Sequence, residues 1–130
     1  MPLTADDRLA IQEVLSRYCH CLDRGRWDEF RALFVQDAKL DFGDVMGVWE
    51  GAESIRKFTE TIAGLGLFMR HYVTNVLLTG DGTTVDADTY VLAVTGRGDQ
   101  QMVATGRYED RFVKRDGRWL LASRHAVIER

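Results

Sequence analysis

The stretch Met69-Arg70-His71-Tyr72-Val73-Thr74-Asn75 decides how this chain is read. β-Branched and aromatic residues dominate it, and Gly64 and Gly66 stand just before it, so it opens a β-strand. Strand side chains alternate between faces. That predicts His71, Val73, Asn75 and Leu77 on one face and Tyr72, Thr74, Val76 and Leu78 on the other. An imidazole and an amide then sit among apolar groups. Two readings are open: a hydrogen-bonded core histidine, or a general base in a mostly apolar pocket.

From this strand onward the chain is strand-like. Residues 67–79, 85–95, 101–115 and 119–128 form four long runs. The breaks between them are turn chemistry: Gly80-Asp81-Gly82, Gly96-Arg97-Gly98-Asp99 and Asp116-Gly117. Upstream the period is helical. Thr4-Ala5-Asp6-Asp7 reads as a capping box for a helix running to about Asp23, with Ile11, Val14, Leu15, Tyr18 and Leu22 as its buried stripe and Gly25 as its stop. A second helix is predicted over 27–35 and a third over 51–63, with a first strand over 36–42 and a short one at 48–51. Helices followed by an antiparallel meander imply an α+β fold, with helices packed on one face of a curved sheet. The 130 residues suit one domain spanning 1–130.

Composition narrows the function. Net charge is −3, and no run of like charges stands out, which argues against nucleic acid or an anionic membrane as partner. The N-terminus lacks the basic and apolar regions of a signal peptide, so a cytoplasmic location is expected. Cys19 and Cys21 are two apart on a predicted helix, point in different directions, and read as reduced residues. No zinc-ligand spacing, EF-hand loop, phosphate loop or GxSxG elbow occurs, so neither metal nor organic cofactor is expected.

Several side chains are candidates for chemistry. Tyr18 is on the buried stripe. Asp23 sits on the flank of that stripe at a helix C-terminus, where the macrodipole disfavours a carboxylate. It caps the second helix, or it turns inward to hold a histidine. His20 reads as solvated. His125 is in phase with Leu121, Ser123 and Val127. Asp86 and Asp88 mark an exposed strand face, and Arg107, Glu109 and Arg111 form a polar ladder, with Gly106, Tyr108 and Asp110 on the opposite face.

The pattern Ile11…Arg17-Tyr18…Leu22-Asp23…Trp27-Asp28…Leu33-Phe34…Asp37-Ala38, then Gly51…Ile55…Phe58, His71-Tyr72-Val73-Thr74-Asn75 and Gly106-Arg107-Tyr108-Glu109-Asp110…Asp116-Gly117-Arg118-Trp119 resembles the SnoaL-like branch of the nuclear-transport-factor-two-like superfamily. The resemblance implies a cone-shaped α+β barrel with a deep pocket. Within the branch the site resembles that of scytalone dehydratase, bile-acid 7α-dehydratase and hexachlorocyclohexane dehydrochlorinase. Those enzymes place an aspartate at the end of the first helix and a histidine opening the first long strand, which Asp23 and His71 match. Tyr18 matches a tyrosine five residues before that aspartate in the bile-acid enzyme. The second histidine of scytalone dehydratase falls at Val94 or Thr95, its pocket tyrosine at Phe42, and its serine and asparagine at Gly106 and Tyr108. The catalytic aspartate of ketosteroid isomerase also falls at Phe42.

The resemblance therefore implies a cofactor-free lyase, a dehydratase or related β-eliminating enzyme, or an isomerase. His71 would be the base, Asp23 its orienting carboxylate and Tyr18 a hydrogen-bond donor. Asn75, Phe42, Tyr108 and Trp49 would line the site of a small, mostly apolar, aromatic or alicyclic ligand. The alternative is a binding or scaffold protein, like the β-subunit of a ring-hydroxylating dioxygenase. A homo-oligomer is expected, because the free sheet face needs cover, with a trimer favoured slightly over a dimer.

Overall fold

A computed structural model describes residues 1–129. Helix α1 (Ala5–Arg24) is followed by α2 (Trp27–Arg31), β1 (Phe34–Asp41), α3 (Gly43–Met46), β2 (Val48–Glu50), α4 (Ala52–Leu65), β3 (Phe68–Gly80), β4 (Thr84–Arg97), β5 (Gln100–Arg115) and β6 (Arg118–Glu129). The strands form one curved, open sheet in the order β2-β1-β6-β5-β4-β3, with β2 and β3 at its edges. The architecture is α+β, as the helix-then-strand order predicts. The sheet is mixed rather than wholly antiparallel, because β1 runs parallel to β6.

Helix α1 is fixed at both ends, and this positions the site. At its start Thr4 and Asp7 form the predicted capping box, with Asp7 N–H donating to Thr4 Oγ1 at 3.0 Å and Thr4 N–H donating to Asp7 Oδ2 at 3.1 Å. Asp7 Oδ1 also accepts from Trp119 Nε1 at 3.0 Å and Lys114 Nζ at 3.1 Å, which ties the helix to β5 and β6. The Trp119 indole, the helix-start backbone and Lys114 together hold the Asp7 carboxyl well below the usual carboxylate range. At the other end Gly25 takes the left-handed conformation, φ 68°, and its N–H closes on the Cys21 carbonyl. Asp23 therefore stands at a defined helix end.

The second predicted helix is shorter than its pattern. It stops at Arg31, and Phe34 already begins β1. The sheet wins over helix propensity here: Leu121 N–H donates to Leu33 O at 2.8 Å, and Phe34 pairs with Leu121. The sequence reading also lacked α3, a single turn between Gly43 and Gly47.

The main core lies between the sheet and the helices. Ile11, Leu15 and Leu22 of α1 meet Ile55, Phe58 and Ile62 of α4 and Val85, Phe112 and Leu121 of the sheet. Burying each such side chain is worth about 1.5–3 kcal/mol. Tyr108, Val91 and Ala126 form a smaller cluster, with Phe42 and Val73 packed against it.

Candidate functional site

Residues 48 apart in sequence meet where α1 ends against β3. Because β3 is an edge strand, its outer backbone groups are free of the ladder. The Asp23 carboxylate takes one of them: His71 N–H donates to Oδ2 at 2.8 Å. The other carboxylate oxygen lies 2.6 Å from His71 Nδ1. One carboxylate thus fixes both the backbone and the ring of the same histidine, and its two bonds offset the unfavourable helix end. The side chains are 6% and 12% exposed. With Nδ1 committed to Asp23, Nε2 is the ring atom left for a ligand.

The pair lines a cleft between α1 and β3 of about 460 Å³, together with His20, Arg24, Arg70 and Tyr72. His20, read from sequence as solvated, is exposed and faces this cleft. Cys19 lines it too. Burial pushes the Cys19 thiol up to about 11, against the pull of the Arg124 charge on its other side.

Behind the cleft is a buried charge that sequence reasoning missed. The Arg124 guanidinium donates through Nε and Nη2 to Asp110 Oδ1 and Oδ2, both at 2.8 Å, and neither side chain is exposed. It lies over the rings of Tyr108 and Tyr18, 3.7 and 4.1 Å from their centroids. Burial alone would lower the Arg124 pKa, but the Asp110 charge outweighs it, so the guanidinium is held above its usual range. Two donors here have no hydrogen-bond partner among the described residues: Arg124 Nη1 and the Tyr18 hydroxyl. Burial pushes the Tyr18 phenol up to about 12, so the hydroxyl keeps its proton across any working pH.

The remaining expected site residues divide. Tyr108 is buried beside Arg124, and Phe42 touches the same small cluster while stacking on Phe58 at 5.2 Å. Trp49 belongs to the other edge strand, β2. Its Nε1 donates to Met46 O at 3.0 Å, and its ring packs against Phe58. Asn75 does not share the His71 face. A bulge between Thr74 and Leu77 puts Asn75 at φ 56° and shifts the alternation by one. Val76 and Leu78 then pack on the core and Leu77 turns out. The same device acts in β6, where an irregularity between Leu121 and Ser123 brings Arg124 and Ala126 inward and leaves His125 outside, 3.2 Å from Glu109.

The SnoaL-like domain profile matches residues 3–125. The chain belongs to the SnoaL-like domain family. An uncharacterized protein of Mycobacterium tuberculosis is 27% identical to this SnoaL-like domain over 91% of the chain and 82% of its own length. A putative scytalone dehydratase from Novosphingobium aromaticivorans superposes with a TM-score of 0.86 at 24% identity, covering 96% of this chain and 85% of that one. A hexachlorocyclohexane dehydrochlorinase superposes with a TM-score of 0.87 at 20% identity, covering 96% and 86%. At these identities the two structures establish a shared fold. No helix among the described residues is long and apolar enough to cross a membrane.

Proposed function

We propose that this SnoaL-like domain is a lyase working by general-base proton abstraction, and that Asp23, His71 and Tyr18 carry the reaction. The observation that carries this reading is the double hold of Asp23 on His71 beside an open cleft. His71 Nε2 takes a proton from a carbon next to a carbonyl or beside a leaving group. The C–H electron pair becomes the new C=C bond, and the leaving group departs with its own bonding pair. If it leaves as hydroxide, the imidazolium returns the proton and water departs. Asp23 fixes the tautomer and stabilises the imidazolium. The Tyr18 hydroxyl and Arg124 Nη1, both buried donors without a protein partner, hydrogen-bond the oxygen on which charge develops. Val73, which lines the cleft and packs against the buried cluster of Tyr108, Val91 and Ala126, supplies the apolar wall, with Phe42 against the same cluster behind it.

A panel of cyclic ketones and their β-hydroxy and β-halo derivatives, each with and without a carboxylate or phosphate group, incubated in D2O and followed by NMR, tests this. The expected result is exchange or elimination at the α-carbon above the background of the His71→Ala variant. Equal rates in the two proteins for every compound would sink it. One observation favours the alternative, a binding or scaffold protein with a structural pair: Asp23 also bonds the His71 backbone, which catalysis does not require.

The free sheet face supports a homo-oligomer. Leu77, Tyr90, Leu92 and Val103 are exposed there, beside the Arg107–Glu109 and Arg111–Asp86 ion pairs. Light scattering is expected to give a multiple of the monomer mass, with a trimer favoured; a monomer would refute it. A cytoplasmic location belongs to the same reading.

A further inference from the structure

The cleft carries a positive charge that the elimination chemistry does not use. Arg24, in the last turn of α1, and Arg70, the neighbour of His71, both line it, with His20 one turn before Arg24 on the same helix. Of the other described arginines, Arg17, Arg31, Arg56, Arg107, Arg111 and Arg124 pair with a carboxylate, and Arg8, Arg26, Arg97, Arg115 and Arg118 do not. Among the described residues neither Arg24, Arg70 nor His20 has such a partner.

All the groups facing the cleft come from α1 and β3, and Asp23 is the one carboxylate among them. His71 already takes both of its oxygens. Arg70, which alternation along the edge strand β3 puts on the opposite face from His71, is held in place: its Nη1 donates to Met69 O at 2.8 Å, and its guanidinium lies 4.5 Å from the centroid of the exposed Phe68 ring. Arg24 complements the negative helix end, a role that accounts for one cation and not for Arg70. The chain as a whole has a net charge of −3, so a cationic mouth does not follow from bulk composition. Two guanidinium groups against one carboxylate already engaged by His71 leave the cleft an excess of positive charge, which raises the local concentration of anions.

We propose that the substrate of this cleft is an anion, a small acid whose carboxylate or phosphate group is taken by Arg24 and Arg70 while its carbon skeleton reaches His71. This rests on the reading of the cleft as the active site, and it replaces the expected neutral, mostly apolar ligand with an amphiphilic acid. Arg donors match both oxyanions in bidentate fashion, and the two sources are separated by experiment.

The probes are cyclohexanecarboxylate, cyclohexyl phosphate and the neutral cyclohexanecarboxamide. Each is titrated at low ionic strength into uniformly ¹⁵N-labelled protein, reading the backbone amides of Tyr72 and Val73. One anion is expected to bind about tenfold more tightly than the carboxamide, the sum expected of two partly exposed ion pairs. The anion that does so identifies the group. Arg70→Gln and Arg24→Gln should each remove a large part of the preference, Arg70→Lys should keep most of it, and added salt should erode it. Equal affinity for the carboxamide would overturn the proposal, as would a preference indifferent to both Gln variants or no shift with either anion. His71→Ala is expected to retain the preference. A protein that selects anions but shows no His71-dependent turnover would thus refute the lyase reading and leave this one standing.

Discussion

Replacing His71 by alanine is expected to lower kcat/KM by about 10²–10⁴-fold, the usual contribution of a positioned general base. The unfolding midpoint should stay near that of the wild type, because the backbone N–H of residue 71 still donates to Asp23. Asp23→Asn should cost a comparable factor. The amide keeps the shape of the carboxylate but removes the charge that stabilises the imidazolium, and it presents an N–H where Nδ1 needs an acceptor. Tyr18→Phe should cost less, roughly 1–3 kcal/mol for one hydrogen bond. With wild type, acid should suppress activity, since a protonated imidazole accepts no proton. Tyr18 adds no second loss at alkaline pH short of about 12, where burial has moved its phenol. A purely structural pair makes the opposite prediction: Asp23→Asn lowers the unfolding midpoint and His71→Ala leaves turnover intact. Steady-state rates and thermal melts on the same variants separate the two, and wild-type turnover in His71→Ala would end the catalytic reading.

The sequence exposes those parts of this molecule that follow local rules. Thr4 and Asp7 cap α1, Gly25 ends it, and three turn clusters separate four long strands, because each of these is decided within a few residues. The meeting of Asp23 with His71 was legible through resemblance and through an oddity, a carboxylate at the wrong end of a helix. What alternation misses is the bulge. Nothing in Thr74-Asn75-Val76 announces that the phase shifts, and Asn75 is one of the non-glycine residues able to accept the left-handed conformation cheaply. The same slip in β6 hid Arg124, whose inward phase appears only after the irregularity near Ala122. A buried arginine is also improbable beforehand, and its partner Asp110 is fourteen residues away on another strand. The parallel pairing of β1 with β6 joins strands more than 80 residues apart, a contact that no short window contains.

Arg124→Met is expected to destabilise the fold by about 3–5 kcal/mol, because it leaves the Asp110 carboxylate buried without a counter-charge. For a chain of this size that lowers Tm by roughly 10–20 °C. Tyr18 and Tyr108 also lose the cation stacked on their rings. Asp110→Leu should cost a similar amount by the converse route, stranding the guanidinium. The double variant Arg124→Met/Asp110→Leu carries no buried charge and should recover much of the loss, since apolar replacements of buried ion pairs are often neutral or stabilising. Urea unfolding of all four proteins gives the coupling energy directly. An Arg124→Met protein within about 1 kcal/mol of wild type would show that the charge is not sequestered in solution. The double variant then tests the site itself. It removes Arg124 Nη1, one of the two buried donors without a protein partner, from a protein that still folds. Stability with lost turnover would assign that donor to the developing negative charge; stability with full turnover would assign the pair to the fold alone.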